Sequence, residues 1–313
     1  MKHYTILYNP KAANGHGLES ALRLKEKMSA NVELCDMTAL SGYGDFFAAL
    51  PKDSQLVICG GDGTLDRFIN DTVGTERPKN ILYFAGGSGN DFLRDVGADT
   101  DTLVELDRYI ESLPTVTVRT ARGEQSSLFL NGIGYGIDGY CCEVGDELRE
   151  SSDKPINYTA IAIKGLLFHY KPRNATVSVD GVRHTYKRVW LAPTMNGRYY
   201  GGGMMPTPAQ DRLGADRTVS VMVFHGTGKL RTLMIFPSIF TGEHIKKTGA
   251  VEVLTGHEIT VEYDSPAPLQ IDGETVRGVT SYTVASAVAV GGGYDAKARQ
   301  GHMSVGDQGD SSQ

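Results

Sequence analysis

Long apolar runs are missing from this chain. No segment approaches the ~20 consecutive apolar residues of a spanning helix. The N-terminus, MKHYTILYNP, lacks the apolar core of roughly 7–15 residues that marks a secretory signal. The chain therefore reads as cytoplasmic, and the sequons at Asn157 and Asn174 carry no meaning there. Cysteine is scarce: Cys35, Cys59, Cys141 and Cys142 show no C-x-x-C spacing, which excludes a zinc ribbon and a disulfide framework. Basic excess is absent too, with 31 Lys+Arg against 37 Asp+Glu for a net charge of −6 and no Lys/Arg block. Nucleic acid is thereby excluded as a partner. The P-loop pattern G-x-x-x-x-G-K-[ST] does not occur. What the chain has in excess is glycine, 38 of 313 residues, and these sit in short clusters, as where backbone approaches a ligand or turns sharply.

At roughly 150 residues per domain the length predicts two domains. Strand and helix alternate in the first third. Tyr4–Tyr8, Val32–Cys35, Gln55–Cys59 and Asn80–Phe84 read as strands. Helices are expected over Leu18–Met28, Thr64–Thr72, Asp91–Val96 and Thr102–Leu113, the last stopped by Pro114. Such alternation implies a parallel sheet covered on both faces. After Pro114 the pattern becomes mainly period-2, with strands from Val116 to Val290 and helices at about Ile156–Phe168 and Leu230–Ile235, besides a helical segment after Gly139. The expected fold class is α/β plus mainly-β. A nucleotide-binding α/β domain would span residues 1–114, completed by about 284–300. An antiparallel β-sandwich acceptor domain would span 115–283, and 301–313 form a polar, disordered tail.

The most specific motif is Gly60-Gly61-Asp62-Gly63-Thr64-Leu65 after the apolar strand Val57-Ile58-Cys59. Glycines let backbone approach phosphates, and a helix N-terminus offers unpaired N–H donors. Asp62 would repel bare phosphate, so it makes sense as a carboxylate that meets Mg2+. The plain alternative is a turn in which Asp62 caps the helix. Gly86-Gly87-Ser88-Gly89-Asn90-Asp91 repeats the arrangement after the next strand, putting two Gly-rich turns on one carboxyl-terminal sheet edge, where such sheets bind ligands. Ser88 and Asn90 offer hydrogen bonds to phosphate and ribose, or serve only as caps. Asn9-Pro10-Lys11-Ala12-Ala13 is the third loop of that edge, with Lys11 the cation placed to meet a phosphate. Gly134-x-Gly136-x-x-Gly139 matches G-x-G-x-x-G without the βαβ context that gives it meaning, so no redox cofactor is read from it.

Together with Asn196-Gly197, Gly201-Gly202-Gly203 and Ile271-Asp272-Gly273-Glu274, these motifs occur in an order and spacing that resemble the diacylglycerol kinase catalytic-domain family. That family includes bacterial lipid kinases and the sphingosine and ceramide kinases, and the resemblance covers about residues 4–295. It implies an N-terminal domain like those of 6-phosphofructokinase and NAD kinase, a C-terminal β-sandwich, and a cleft between them. The last strand, Ser281–Val290, would return to the first domain. The resemblance makes Asn9, Pro10, Lys11, Ala12, Ala13, Thr38, Gly60 to Arg67, Gly87, Ser88 and Asn90 the ATP-binding positions. Asp62 and Asp216 would be metal-binding. Asp272 or Glu274 would be the general base, although Asp-Gly between apolar runs is also a common hairpin turn.

Two departures from the family pattern stand out. Asp66-Arg67 replaces Asn-Glu, and in Asp211–Val219, which stands for the family's structural Mg2+ loop, Arg217 occupies the glycine position after Asp216. The expected function is an ATP- and Mg2+-dependent lipid kinase acting on a lipid alcohol such as diacylglycerol. The alternatives are a sphingoid or other alcohol acceptor, or a catalytically silent nucleotide-binding module. The apolar stretches Gly165–Lys171 and Lys229–Phe240, flanked by Lys and Arg, suggest transient peripheral contact with the inner face of a membrane, although buried core is the commoner fate of such stripes. A homodimer is compatible with all of this.

Overall fold

The computed structural model describes residues 2–28, 30–87, 89–151 and 158–287. The first sheet has five strands, β1 (His3–Tyr8), β2 (Asn31–Asp36), β3 (Ser54–Gly60), β4 (Leu82–Ala85) and β5 (Leu103–Glu105), in the order β2-β1-β3-β4-β5. β2, β1, β3 and β4 pair parallel, as the alternation predicts, and β5 pairs antiparallel with β4. Apolar side chains on both faces explain this layering. Ile6, Val57 and Phe84 pack with Ala21 and Leu24 of the Gly17–Lys27 helix. Leu7, Ile58 and Tyr83 pack with Leu65 and Phe68 of the Asp62–Asp71 helix.

The second sheet comprises β6 (Thr115–Thr120), β7 (Gly123–Leu128), β8 (Gly132–Tyr135), β9 (Arg173–Val179), β10 (Val182–Val189), β11 (Thr194–Met195), β12 (Val219–Phe224), β13 (Val251–Gly256), β14 (Glu258–Ile271) and β15 (Glu274–Ala285). Its main path runs β13-β12-β11-β8-β14-β15-β6-β7, and β9, paired with β10, branches from β14. All its pairings are antiparallel. Val118 of β6, Val177 of β9 and Val221 of β12 are not on neighbouring strands, yet they share one buried cluster, so the sheet curls around a single interior.

Three expectations need correcting. The helix expected over Thr102–Leu113 is strand β5 followed by one turn, Asp107–Ile110. Leu106, Tyr109, Ile110 and Leu113 do bury on one face, but Leu103 and Val104 satisfy their backbone against β4 instead. The helix expected from Ile156 is described from Tyr158 to Lys164 and widens into a five-residue turn at Gly165–His169. The strand expected to return to the first domain stays in the second sheet as far as it is described, with Val284 and Ala285 paired to Val116 and Thr115 of β6. The rest of that expectation and the 301–313 tail lie outside the described residues. Among the described residues no helix is long and apolar enough to cross a membrane.

A buried ion cluster joins the two sheets. Asp95, on the short Asp91–Asp95 helix, accepts from Arg212 Nε at 2.5 Å and from Arg198 Nε at 2.9 Å. Arg212 also donates to the Leu130 carbonyl and to Asn131 Oδ1. Both members of the Asp95–Arg212 pair are about 95% buried, with 4% and 5% of their side chains exposed. Removing one partner strands a buried charge. Asp95→Ala is therefore expected to lower unfolding stability by about 3–5 kcal/mol in denaturant titration; a loss under about 1 kcal/mol would show that the pair is not what joins the sheets.

Candidate active site

Because β2, β1, β3 and β4 run parallel, the turns at their carboxyl ends fall on one edge. The turns at Asp36–Thr38, Asn9–Ala13, Gly60–Asp62 and Gly86–Asn90 therefore lie side by side. The two glycine turns touch backbone to backbone: a Cβ on Gly87 would stand 2.5 Å from Gly61 Cα. Gly86 N–H donates to the Gly60 carbonyl at 2.8 Å. Asn9 bridges to the Asp62–Asp71 helix, its Nδ2 donating to Thr64 Oγ1 at 3.3 Å, while its Oδ1 accepts the Lys11 N–H.

Asp62 does cap a helix, but the next one. Its Oδ2 accepts from Asp91 N–H at 2.9 Å and its Oδ1 from Phe92 N–H at 3.0 Å. The local candidate, Asn90, takes the left-handed conformation at φ 51° and makes no side-chain cap. Its Nδ2 donates to the Gly87 carbonyl, and its buried Oδ1 has no hydrogen-bond partner among the described residues. Asp91 Oδ2 accepts from Gly202 N–H at 2.7 Å, tying the Gly201–Gly203 turn to this helix, whereas Asp91 Oδ1 is buried without a hydrogen-bond partner among the described residues and lies 4.0 Å from Arg94 Nη1.

The second sheet supplies the facing wall. Asp272 and Gly273 form the two-residue turn between β14 and β15, both at positive φ, as the hairpin reading predicts. That turn is also part of the site. The Asp272 carboxylate accepts three backbone N–H groups, from Leu130, from Asn131 at 2.8 Å and from Gly132 at 3.0 Å. Asn131 in turn points its Nδ2 at Asp62 Oδ1 across 3.5 Å. Glu274 is exposed at the start of β15, and its side chain has no hydrogen bond or ion pair among the described residues.

Carboxylates are crowded and poorly solvated here. Burial, with Asp62 nearby, pushes Asp272 up to about 6 against the pull of its three N–H donors. Burial and Asp62 push Asp91 up to about 7. Burial, then Asp272 and Glu274, push Asp66 up to about 8, although Asn70 donates to it. Such unmet negative charge suits a cation. Asp91 Oδ1 has no hydrogen-bond partner among the described residues and only Arg94 Nη1, at 4.0 Å, as a counter-charge, so with Asp62 nearby it fits Mg2+, a hard ion that one or two carboxylates hold together with phosphate oxygens and water. A cage made by protein alone is not available, since among the described residues no three His, Cys, Asp or Glu side chains converge to hold a metal.

These walls enclose a cleft of about 430 Å³. Asp62, Asp91 and Asp272 line its acidic end; Ala162, Met204, Phe236 and Phe240 line the other. Between them sits Asp138, pushed up to about 7 by burial and hydrogen-bonded by the Tyr200 hydroxyl. Asp138, Tyr200, Asn131 and Asp91 carried no role in the sequence reading. The glycine-rich runs around them were the available signal, and the formal G-x-G-x-x-G has a packing explanation: a Cβ on Gly139 would stand 1.9 Å from the Pro268 carbonyl oxygen of β14.

Other sequence candidates sit apart from the acids. Lys11 is exposed at the sheet edge. Thr38 is exposed and bonds to Asp36 through both its N–H and its hydroxyl. Arg67 turns to Asp71 one helical turn on, at 3.3 Å. Asp216 is exposed beside Asp211 on a separate cavity of about 460 Å³, and Arg217 holds φ 50°, the conformation glycine would take. Ser88 lies outside the described residues.

Comparison with known proteins decides the kinship. Residues 3–119 match the diacylglycerol kinase catalytic domain, and residues 131–298 match the YegS C-terminal NAD kinase beta sandwich-like domain. The chain belongs to the diacylglycerol kinase catalytic-domain family. It is similar to the diacylglycerol kinase of Mycobacterium tuberculosis (strain ATCC 25618 / H37Rv), 25% identical over 272 residues and covering 84% of this chain and 85% of the relative. It is also similar to YtlR of Bacillus subtilis (strain 168), 23% identical over 309 residues and covering 91% and 97%. A crystal structure of a diacylglycerol kinase from Bacillus anthracis str. Sterne shares the fold, with a TM-score of 0.58, 18% identity and coverage of 91% and 94%. Kinase kinship makes the chain a phosphotransferase.

The raised carboxylates have a consequence for stability. Between about pH 4 and pH 8 the folded chain keeps protons on Asp66, Asp91 and Asp272 that the unfolded chain has released, so stability falls as pH rises through that window. Asp66→Asn removes the group raised furthest of the three, and its melting temperature should fall less between pH 5 and pH 8 than that of the wild type. Parallel falls in calorimetry would contradict this electrostatic account.

Proposed function

We propose that the chain is a Mg2+-dependent lipid kinase that transfers the γ-phosphate of ATP to the hydroxyl of a lipid alcohol, most directly a diacylglycerol. One observation carries this reading: a single cleft has carboxylates and a glycine-turn edge at one end and an apolar wall at the other. In this reading residues 1–114 bind nucleotide and 115–283 bind the acceptor.

Asp62 at the start of its helix and Gly87 of the second glycine turn present backbone N–H groups to the phosphates, with Lys11 at the same sheet edge. Asn90 Oδ1, without a partner among the described residues, accepts a hydrogen bond from the nucleoside. Mg2+ held by Asp62 with Asp91 would neutralise charge across the phosphate oxygens. Tyr200 and Asp138 meet the polar headgroup, and the apolar wall takes the acyl chains. Asp272, with three donors fixing its orientation and a pKa of about 6, takes the acceptor's hydroxyl proton. The alcohol oxygen then bonds to the γ-phosphorus, the bond from γ-phosphorus to the bridging oxygen breaks, and ADP leaves. Glu274, exposed at the rim, has no step in this scheme.

The test is transfer of labelled γ-phosphate from ATP with Mg2+ into detergent micelles holding diacylglycerol, sphingosine or a soluble alcohol. Label in diacylglycerol, cut about 10²- to 10⁴-fold in kcat by Asp272→Asn and less than about tenfold by Glu274→Gln, is the expected result. Label in no alcohol would overturn the reading in favour of a silent nucleotide-binding module. Full activity in Asp272→Asn with loss in Glu274→Gln would move the base to Glu274.

A further inference from the structure

The cleft has a polar waist, and the formal G-x-G-x-x-G run is what makes room for it. Gln270 of β14 pairs in register with Gly134 of β8. A Cβ on Gly134 would stand 2.6 Å from Asp138 Cβ and 2.8 Å from Gln270 Nε2, so glycine at that position is what lets both side chains lie there. Gln270, Asp138 and Asp272 all line the cleft. Gln270 precedes Asp272 by two residues, a displacement of roughly 7 Å along an extended chain. Whatever presents a hydroxyl to Asp272 therefore passes Gln270 with its neighbouring atoms.

The Gln270 amide has a fixed sense. Its Oε1 accepts the Gly273 N–H at 2.7 Å. A backbone N–H can only donate, so the amide oxygen belongs at that end and Nε2 at the other. Nε2 has no hydrogen bond among the described residues, although Gln270 is only 4% exposed. A donor so far from bulk water is costly unless an acceptor comes to it. Neighbouring donors are committed elsewhere: the Tyr200 hydroxyl donates to Asp138, Asn131 Nδ2 points at Asp62 and Arg149 donates to Asp146.

We infer that Gln270 Nε2 donates to an ester carbonyl of the acceptor, which makes Gln270 a specificity-determining residue and ester-linked glycerolipids the acceptor class. An ester brings oxygen acceptors and no donor, the complement of an amide whose own oxygen is already spent on Gly273. An ether-linked glycerolipid keeps the free hydroxyl and the shape but has no carbonyl, so it leaves Nε2 unpaired in a site closed to water. A sphingoid base has no carbonyl to offer either. The inference rests on the lipid-kinase reading for its purpose, but recognition is measured without turnover.

The experiment is calorimetric titration of the full chain, without ATP, with dihexanoylglycerol and with its diether counterpart, dihexylglycerol. Wild type should bind the diester about tenfold or more tightly than the diether, although the diether is the more apolar of the two. Gln270→Leu should bring the diester down to the affinity of the diether and leave the diether within about twofold of wild type. A variant that merely loosened the Asp272-Gly273 turn would weaken both lipids alike, so the ratio separates recognition from support. The wild-type comparison decides by itself if the variant does not fold. Equal affinity of wild type for the two lipids, binding of neither, a diester preference that survives in Gln270→Leu, or an equal loss of both in that variant would overturn the inference. Diester-selective binding by a chain that transfers phosphate from ATP to no lipid would sink the kinase reading and leave Gln270 its role. Transfer to diester and diether with equal kcat/KM would do the reverse.

Discussion

The three backbone N–H groups of Leu130, Asn131 and Gly132 around the Asp272 carboxylate are the contact on which the site depends. Asp272 belongs to the last described hairpin, and Leu130–Gly132 lead from β7 into β8. Joining them sets the Asn131 amide against Asp62 and its carbonyl oxygen against Arg212, which reaches Asp95. One carboxylate thus brings a second-sheet turn up to the glycine-turn edge of the first sheet. Asp62 does the matching work on the other side, holding the start of the Asp91–Asp95 helix. Both acids are fixed by main-chain donors, which do not move with a rotamer, so the geometry is set before any ligand arrives.

That arrangement runs against stability. Folding buries Asp66, Asp91 and Asp272 near one another and raises all three well above the usual carboxylate range. A fold selected only for stability would place opposite charges there, as it does a few residues away at Asp95 with Arg198 and Arg212. The excess of like charge is coherent if a cation and a phosphate chain complete the site, since the ion offsets carboxylate and phosphate together. Concentration of perturbed acids in one cleft is the pattern that reaction centres share.

Much of this was legible in the chain itself. The glycine turns announced themselves because each follows a short buried strand, and parallel pairing of β1, β3 and β4 then forces them onto one edge. Asp62 was legible as an acid in a place that excludes bare phosphate. Asp272-Gly273 was read two ways, as a hairpin turn and as part of the site, and it forms the turn while also lining the cleft. The acceptor side was less legible. Asp138 and Tyr200 are far apart in sequence, and nothing local signals that they meet. The apolar segments 158–169 and 229–240 were legible as stripes, but which residues face inward depends on the neighbours they pack against: Phe236 is buried and Met234, two residues earlier, is exposed. Thr102–Leu113 misled because its apolar spacing suits a helix while an open strand edge on β4 claimed its first residues.

The central claim is that the buried acids exist to meet a metal-bridged phosphate, and calorimetric titration of ATP with and without Mg2+ tests it most directly. Wild type should bind ATP markedly more tightly with Mg2+, and Asp62→Asn should keep the metal-free affinity while losing the increment. An Mg2+ increment unchanged in Asp62→Asn, or no ATP binding by the wild type, would contradict it.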